Sequence, residues 1–193
     1  QPFYGLVNIP ATHESQMFTE NVEKNRSGGL EAVSDRSAVS VPPYYPDTAV
    51  VREYIAREYD NIAAADAFVG RILEQLERDG LADSTIVIWT TDHGDGLPRA
   101  KREVYDSGIR VPMIIHWPEQ FRPGWAAAGT VDERLVSFVD FAPSILQLAG
   151  VETPAWMQGK PALFAAEKTR DYVYAAKDRL DEFEFRERAV RDE

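Results

Sequence analysis

The chain contains no cysteine, which excludes a disulfide scaffold, a zinc-thiolate centre and a thiol nucleophile. It also lacks an excess of positive charge: 32 acidic residues stand against 21 Lys and Arg, a formal charge of -11. With no basic stripe to follow a phosphate backbone, nucleic acid is not an expected partner. No apolar run approaches the roughly 20 residues that a membrane span needs. The first residues lack the charged-then-apolar layout of a secretory leader. Internal repeats and low-complexity tracts are missing, and histidine is scarce, at three residues: His13, His93 and His116. What remains is 193 residues, 44% of them hydrophobic, enough to bury a sizeable core as one domain or as one domain with a small addition.

Phe3, Tyr4, Leu6, Val7 and Ile9 form an apolar run that reads as a buried strand entered without any lead-in loop. Residues 10 to 46 have no sustained period and end in the breakers Pro42, Pro43 and Pro46, which predicts a long irregular segment. Asp47 stands at the expected N-cap of a helix. Val51, Ile55, Ile62, Phe68 or Val69, Ile72 and Leu76 then recur at three- and four-residue steps up to Gly80. This stripe is expected to pack on a sheet. Thr85 to Thr91 and Val111 to Trp117 read as buried strands, the first of them parallel, and Leu135 to Phe138 as a third. A short helix is expected from about Asp140 to Leu148, stopped by Gly150. Strands alternating with helices predict an α/β domain with a mainly parallel sheet flanked by helices. The pattern changes beyond Thr153, where Tyr172 to Ala175 and the charged alternation to Val190 suggest the start of a small antiparallel unit. The expected division is 1–166 for the core and 167–193 for that unit.

In open α/β sheets, ligands gather outside the carboxyl ends of the strands. Asp92 and His93 stand at such an end, followed by Gly94. One hard oxygen beside one imidazole nitrogen suits a metal ion; the same residues equally make a polar turn with Asp92 capping nearby N–H groups. Arg99, Lys101, Arg102 and Arg110 cluster after this turn. They favour an anionic ligand, or they are solvated charges paired with Glu103 and Asp106. His13 follows the first apolar run in a loop that could overhang the same edge, or is incidental there. His116, inside a strand, reads as structural.

Three stretches, taken together, carry a family resemblance. They are Thr90-Thr91-Asp92-His93-Gly94, then Lys101 with Tyr105-Asp106-Ser107-Gly108-Ile109-Arg110-Val111-Pro112, then Val136 to Leu146. The combination resembles the sulfatase family of the alkaline phosphatase superfamily, nearly end to end, and most of all bacterial relatives of the heparan N-sulfatases. The resemblance implies hydrolysis of sulfate esters or N-sulfates on a sulfated small molecule or glycan. It implies that Asp92 and His93 bind a divalent metal, usually Ca²⁺, and that Lys101 and His13 contact the sulfate oxygens. A periplasmic, secreted or lysosomal location comes with it.

The chain departs from the family in two places. The formylglycine nucleophile arises from a Cys/Ser-x-Pro-Ser-Arg motif, of which Ser40-Val41-Pro42-Pro43-Tyr44 shares only the Ser and a Pro. The paired aspartates that complete the metal site are missing too. Both are expected upstream of Gln1, and Arg188 to Asp192 resembles the start of the family's C-terminal subdomain, so the chain reads as a central to C-terminal piece, inactive alone. Two alternatives stand beside this reading: a phosphodiesterase or phosphonate monoester hydrolase of the same superfamily, and a noncatalytic anion-binding module on the same fold.

Overall fold

The computed structural model describes residues 2–27 and 33–192. Residues 28–32, inside the expected irregular segment, lie outside the described residues. The described part of that segment is less irregular than its composition suggests: two short 3₁₀ turns, Pro10–Thr12 and Glu14–Met17, lead into helix α1, Thr19–Ser27.

The long helix α2 spans Ala49–Arg78. Its N-cap is Thr48, whose hydroxyl accepts from the Val51 N–H at 3.3 Å. The expected cap Asp47 instead grips Arg52, with Nε–Oδ1 at 2.6 Å and Nη2–Oδ2 at 2.8 Å. A two-pronged guanidinium contact outcompetes a single neutral N–H for the carboxylate. The same guanidinium donates to the carbonyls of Ser37 and Val39. The helix stops where Gly80 turns left-handed at φ 67.

The apolar stripe of α2 is only half covered, and not by a sheet. Ile55 and Ala56 pack with Val39, Val41, Tyr45, Val51 and Leu97, so the core lies between the first half of the helix and two loops. Deeper along the helix Asp60 is buried, and its carboxylate accepts from the N–H groups of Val33 and Ser34 and from Arg36 at 2.8 Å. Ile62, Phe68 and Leu73, by contrast, face solvent.

Strand β1, Val87–Thr90, pairs with β2, Met113–His116, with Val87 opposite His116 and Thr90 opposite Met113. The pairing is antiparallel, which corrects the parallel expectation for the first run; no parallel pair occurs among the described residues. Between the strands lies the one-turn helix α3, Asp106–Ile109. Phe3 to Ile9 and Leu135 to Ser137 are not strands, and Phe138 opens a 3₁₀ turn. A strand exists only where a neighbour takes its N–H and C=O groups, and neither run has one here. Leu6 is 73% exposed.

Helix α4, Phe141–Leu148, begins at Asp140, which is wholly buried. Its carboxylate accepts from Arg170 at 2.5 and 2.6 Å and from the Lys160 N–H at 2.8 Å. Burial works against the ionised form, yet these donors hold the carboxyl below its usual range. Ser144 donates to the Asp140 carbonyl and accepts from the Leu163 N–H. Residues 160–170 are thus pinned to the helix by polar groups. The expected antiparallel unit is a hairpin of β3, Val173–Leu180, and β4, Phe183–Arg191. Lys177 ties it back, bridging Glu103 at 2.6 Å and Glu187 at 2.8 Å.

The accessible surface is 13537 Å², whereas a folded monomer of 21.7 kDa presents about 9,200 Å². The excess includes Phe3, Tyr4, Leu6, Ile62, Phe68, Ile114 and Trp156. The isolated chain is therefore expected to bind a hydrophobic dye and to self-associate in sedimentation; a dye-silent, monodisperse monomer would contradict this. Asp140→Ala should lower stability by about 3 kcal/mol in denaturant melts, because Arg170 and the Lys160 N–H lose their acceptor.

Candidate active site

The site is assembled from three pieces of backbone: the turn after β1, the loop that follows it, and the segment around His13. They approach closely because the turn is thin. A Cβ on Gly94 would lie 1.8 Å from the Ser107 carbonyl oxygen, and one on Gly96 would lie 2.5 Å from Cβ of Glu14. No other residue fits either place without moving main chain. The Gly94 N–H donates to the Gly108 carbonyl at 2.9 Å, and the Lys101 N–H to the Asp95 carbonyl at 2.9 Å.

Lys101 reaches across 87 positions to ion-pair with Oε2 of Glu14. Nε2 of His13 lies 3.6 Å from the same oxygen. The structure thus brings Lys101 and His13, two of the residues singled out in the sequence, to one point. Nδ1 of His13 accepts from the Ser15 N–H at 3.2 Å, which leaves the proton on Nε2, the nitrogen turned toward Glu14. The Lys101 ammonium, hydrogen-bonded to Glu14, holds that carboxyl below its usual range.

Asp92 and His93 are adjacent, with Nε2 of His93 3.4 Å from Oδ2 of Asp92. Nδ1 of His93 donates to the Gly94 carbonyl at 2.6 Å, so in the neutral ring Nε2 is the bare nitrogen. A bare imidazole nitrogen and a carboxylate oxygen at this spacing fit a hard cation: ligands at right angles on bonds of about 2.3–2.6 Å sit roughly 3.3–3.7 Å apart. They are part of a set only. No group of three or more His, Asp or Glu among the described residues could hold a metal, and the Asp92 side chain is 83% exposed. His116 lies in β2 opposite Val87.

The loop carrying Lys101 is strained. Arg99 and Arg102 flank it at φ 70 and 71, positions that cost on the order of 1–3 kcal/mol each for residues other than glycine. Ala100 between them is buried, Tyr45 donates to the Pro98 carbonyl, and Ser107 to that of Arg99. Leu97 N–H donates to the Asp95 carboxylate at 2.9 Å. Arg110 and Arg102 point elsewhere, toward Glu133 and Asp181.

Sequence reasoning missed Glu14 and Glu58. Glu14 carries one signal, its place next to His13. Glu58 carries none, being one acidic residue among 32. It lies buried in α2, and its Oε2 has no hydrogen-bond partner among the described residues. Burial pushes its carboxyl up to about 7, and the charge of Asp95 adds to the effect.

The sulfatase family model matches residues 1–151. The chain belongs to the sulfatase family. An ulvan-active sulfatase of Formosa agariphila is 37% identical over 221 residues, covering 100% of this sulfatase chain and 36% of the relative. A solved structure in complex with its substrate D-glucosamine-2-N,6-O-disulfate matches with a TM-score of 0.61 at 27% identity, over 90% of this chain and 35% of the other. A phosphonate monoester hydrolase from Silicibacter pomeroyi matches with a TM-score of 0.58 at 26% identity, over 78% and 31%. The chain spans about a third of the length of these relatives. Its solved neighbours have the alkaline phosphatase-like fold of the sulfatases, here present as helices with two small antiparallel sheets. No helix among the described residues is long and apolar enough to cross a membrane.

Glu58 sets a pH dependence. The folded sulfatase chain keeps a proton that the unfolded chain releases near 4.5, up to about 7. That contribution to stability is fully present below the window and is lost as pH rises through it, by about 3 kcal/mol. Urea melts of Glu58→Gln should therefore lack this part of the slope between pH 4.5 and 8; identical slopes for the two proteins would contradict the assignment.

Proposed function

We propose that the protein containing this chain hydrolyses sulfate esters or N-sulfates on sulfated sugars, and that Lys101 and His13 hold the sulfate group. The observation that carries this is their meeting at one anionic oxygen, Oε2 of Glu14, on the backbone that also bears Asp92 and His93. A carboxylate oxygen that takes a hydrogen bond from an ammonium and lies 3.6 Å from an imidazole nitrogen marks a place where a sulfate oxygen would be held by the same two groups. Cleavage of the S–O or S–N bond accumulates charge on the oxygens of the sulfuryl group and on the departing atom. Lys101 acts there as a fixed positive charge, and the Nε2–H of His13 donates a hydrogen bond.

Asp92 and His93 would hold the divalent cation of the family, in our reading Ca²⁺, as two of its ligands. When bound, that cation draws negative charge from a sulfate oxygen. Because a hard cation takes 6–8 oxygen ligands, the isolated chain binds it weakly. The formylglycine nucleophile belongs to the part of the protein outside this chain, so the chain alone does not turn over substrate. In the complete domain, Phe3 to Ile9 would find the neighbouring strands of a mainly parallel α/β sheet, with 1–166 as its core and the β3–β4 hairpin opening a second unit over 167–193.

The likeness to a phosphonate monoester hydrolase supports a second reading, in which the same two cationic groups take a phosphorus oxyanion. In the full-length protein, Lys101→Ala and His13→Ala should each lower kcat on a sulfated sugar by about 10²–10³-fold, the loss typical of an oxyanion donor. Arg186→Ala, on the exposed face of the hairpin, is the control and should change little. Near wild-type turnover by both site variants would overturn the assignment. A preference for phosphonate monoesters over sulfate esters would favour the second reading.

A further inference from the structure

We infer that Arg99 is a specificity-determining residue, binding a second anionic group on the sulfated sugar whose reacting sulfate lies at Lys101. The inference rests on the sulfatase reading and names the substrate class within it. The Arg99 guanidinium carbon sits 4.8 Å from the ring centroid of Tyr44 and 4.3 Å from that of Tyr105. Most arginines elsewhere in this acidic chain find carboxylates, as Arg36 takes Glu53 and Asp60, Arg52 takes Asp47, Arg134 takes Asp132 and Arg170 takes Asp140. Arg71 lies over one ring, Phe68, but Arg99 alone among the described residues lies over two. No carboxylate among the described residues pairs with Arg99, although it is exposed.

Contact with aromatic rings occupies the faces of a guanidinium and leaves its in-plane N–H fork unused. That fork matches a carboxylate or a sulfate two oxygens at a time. The rings also hold the group in place before any ligand arrives, so less freedom is lost on binding. The backbone supports the same conclusion. Arg99 adopts φ 70, its carbonyl is held by Ser107 and that of its neighbour Pro98 by Tyr45. A strained conformation fixed at several points delivers this side chain to this place. Lys101 is two residues on, a span of at most roughly 7 Å, about the size of a sugar ring. A second sulfate on the same ring, or a carboxylate on the same or the next ring, falls within reach of a long side chain.

The test uses the full-length protein and three substrates: a monosulfated monosaccharide, the same sugar with a second sulfate, and a sulfated disaccharide bearing a uronate carboxylate. Arg99→Ala should lower kcat/KM on one of the two doubly anionic substrates by about tenfold to a hundredfold more than on the first, mainly through KM. Which one responds identifies the anion. Arg99→Lys, which keeps charge without the fork, should lose part of that preference. So should Tyr105→Leu, which keeps the fork and removes one ring. Equal losses on all three substrates would overturn the inference, since a residue that only supports the loop cannot tell them apart; so would a preference that survives Arg99→Ala. Wild-type protein inactive on all three would sink the sulfatase reading itself.

Discussion

The approach of Gly96 to Glu14 is the contact on which the candidate site depends. With no room for a methyl group between the two segments of backbone, the Glu14 carboxylate reaches Lys101, and His13, one residue earlier, comes with it. The turn that makes this possible also carries Asp92 and His93, and its Asp95 carbonyl takes the Lys101 N–H. Side-chain chemistry is thus set by backbone proximity, the stiffest ruler that a protein has.

The two histidines of the site are tuned in opposite directions by their nearest backbone. A carbonyl beside Nδ1 of His93 makes its Nε2 a lone pair; an N–H beside Nδ1 of His13 makes its Nε2 a donor. In the proposed function, one residue type would therefore supply both a cation ligand and an oxyanion donor. Neither could take the other's part without reorganising the peptide next to it.

The long helix was legible because its stripe and its breaker at Gly80 are local, and α4 was legible for the same reason. The hairpin could be read from the alternation after Tyr172. Phe3 to Ile9 reads as a strand and is not one here, because an apolar run becomes a strand only when another chain segment lies beside it, and its composition says nothing of that neighbour. The same limit explains the antiparallel pairing of β1 with β2: runs of four residues do not encode direction. In the candidate site, His13, His93 and Lys101 stood out as scarce residue types at family spacings, and Asp92 through its place beside His93. Glu14 and Glu58 did not, because carboxylates are abundant here and their significance comes from burial and partners.

The Glu14–Lys101 ion pair casts the site as an ion exchanger already loaded with its own counterion. In the role proposed for Lys101, an incoming sulfate would not meet a bare ammonium; it would replace the Glu14 carboxylate there. Affinity is then the difference between two ion pairs rather than the strength of one. Added salt weakens both sides of that exchange, so binding at Lys101 should depend on ionic strength much less than the charge of the ligand alone would suggest.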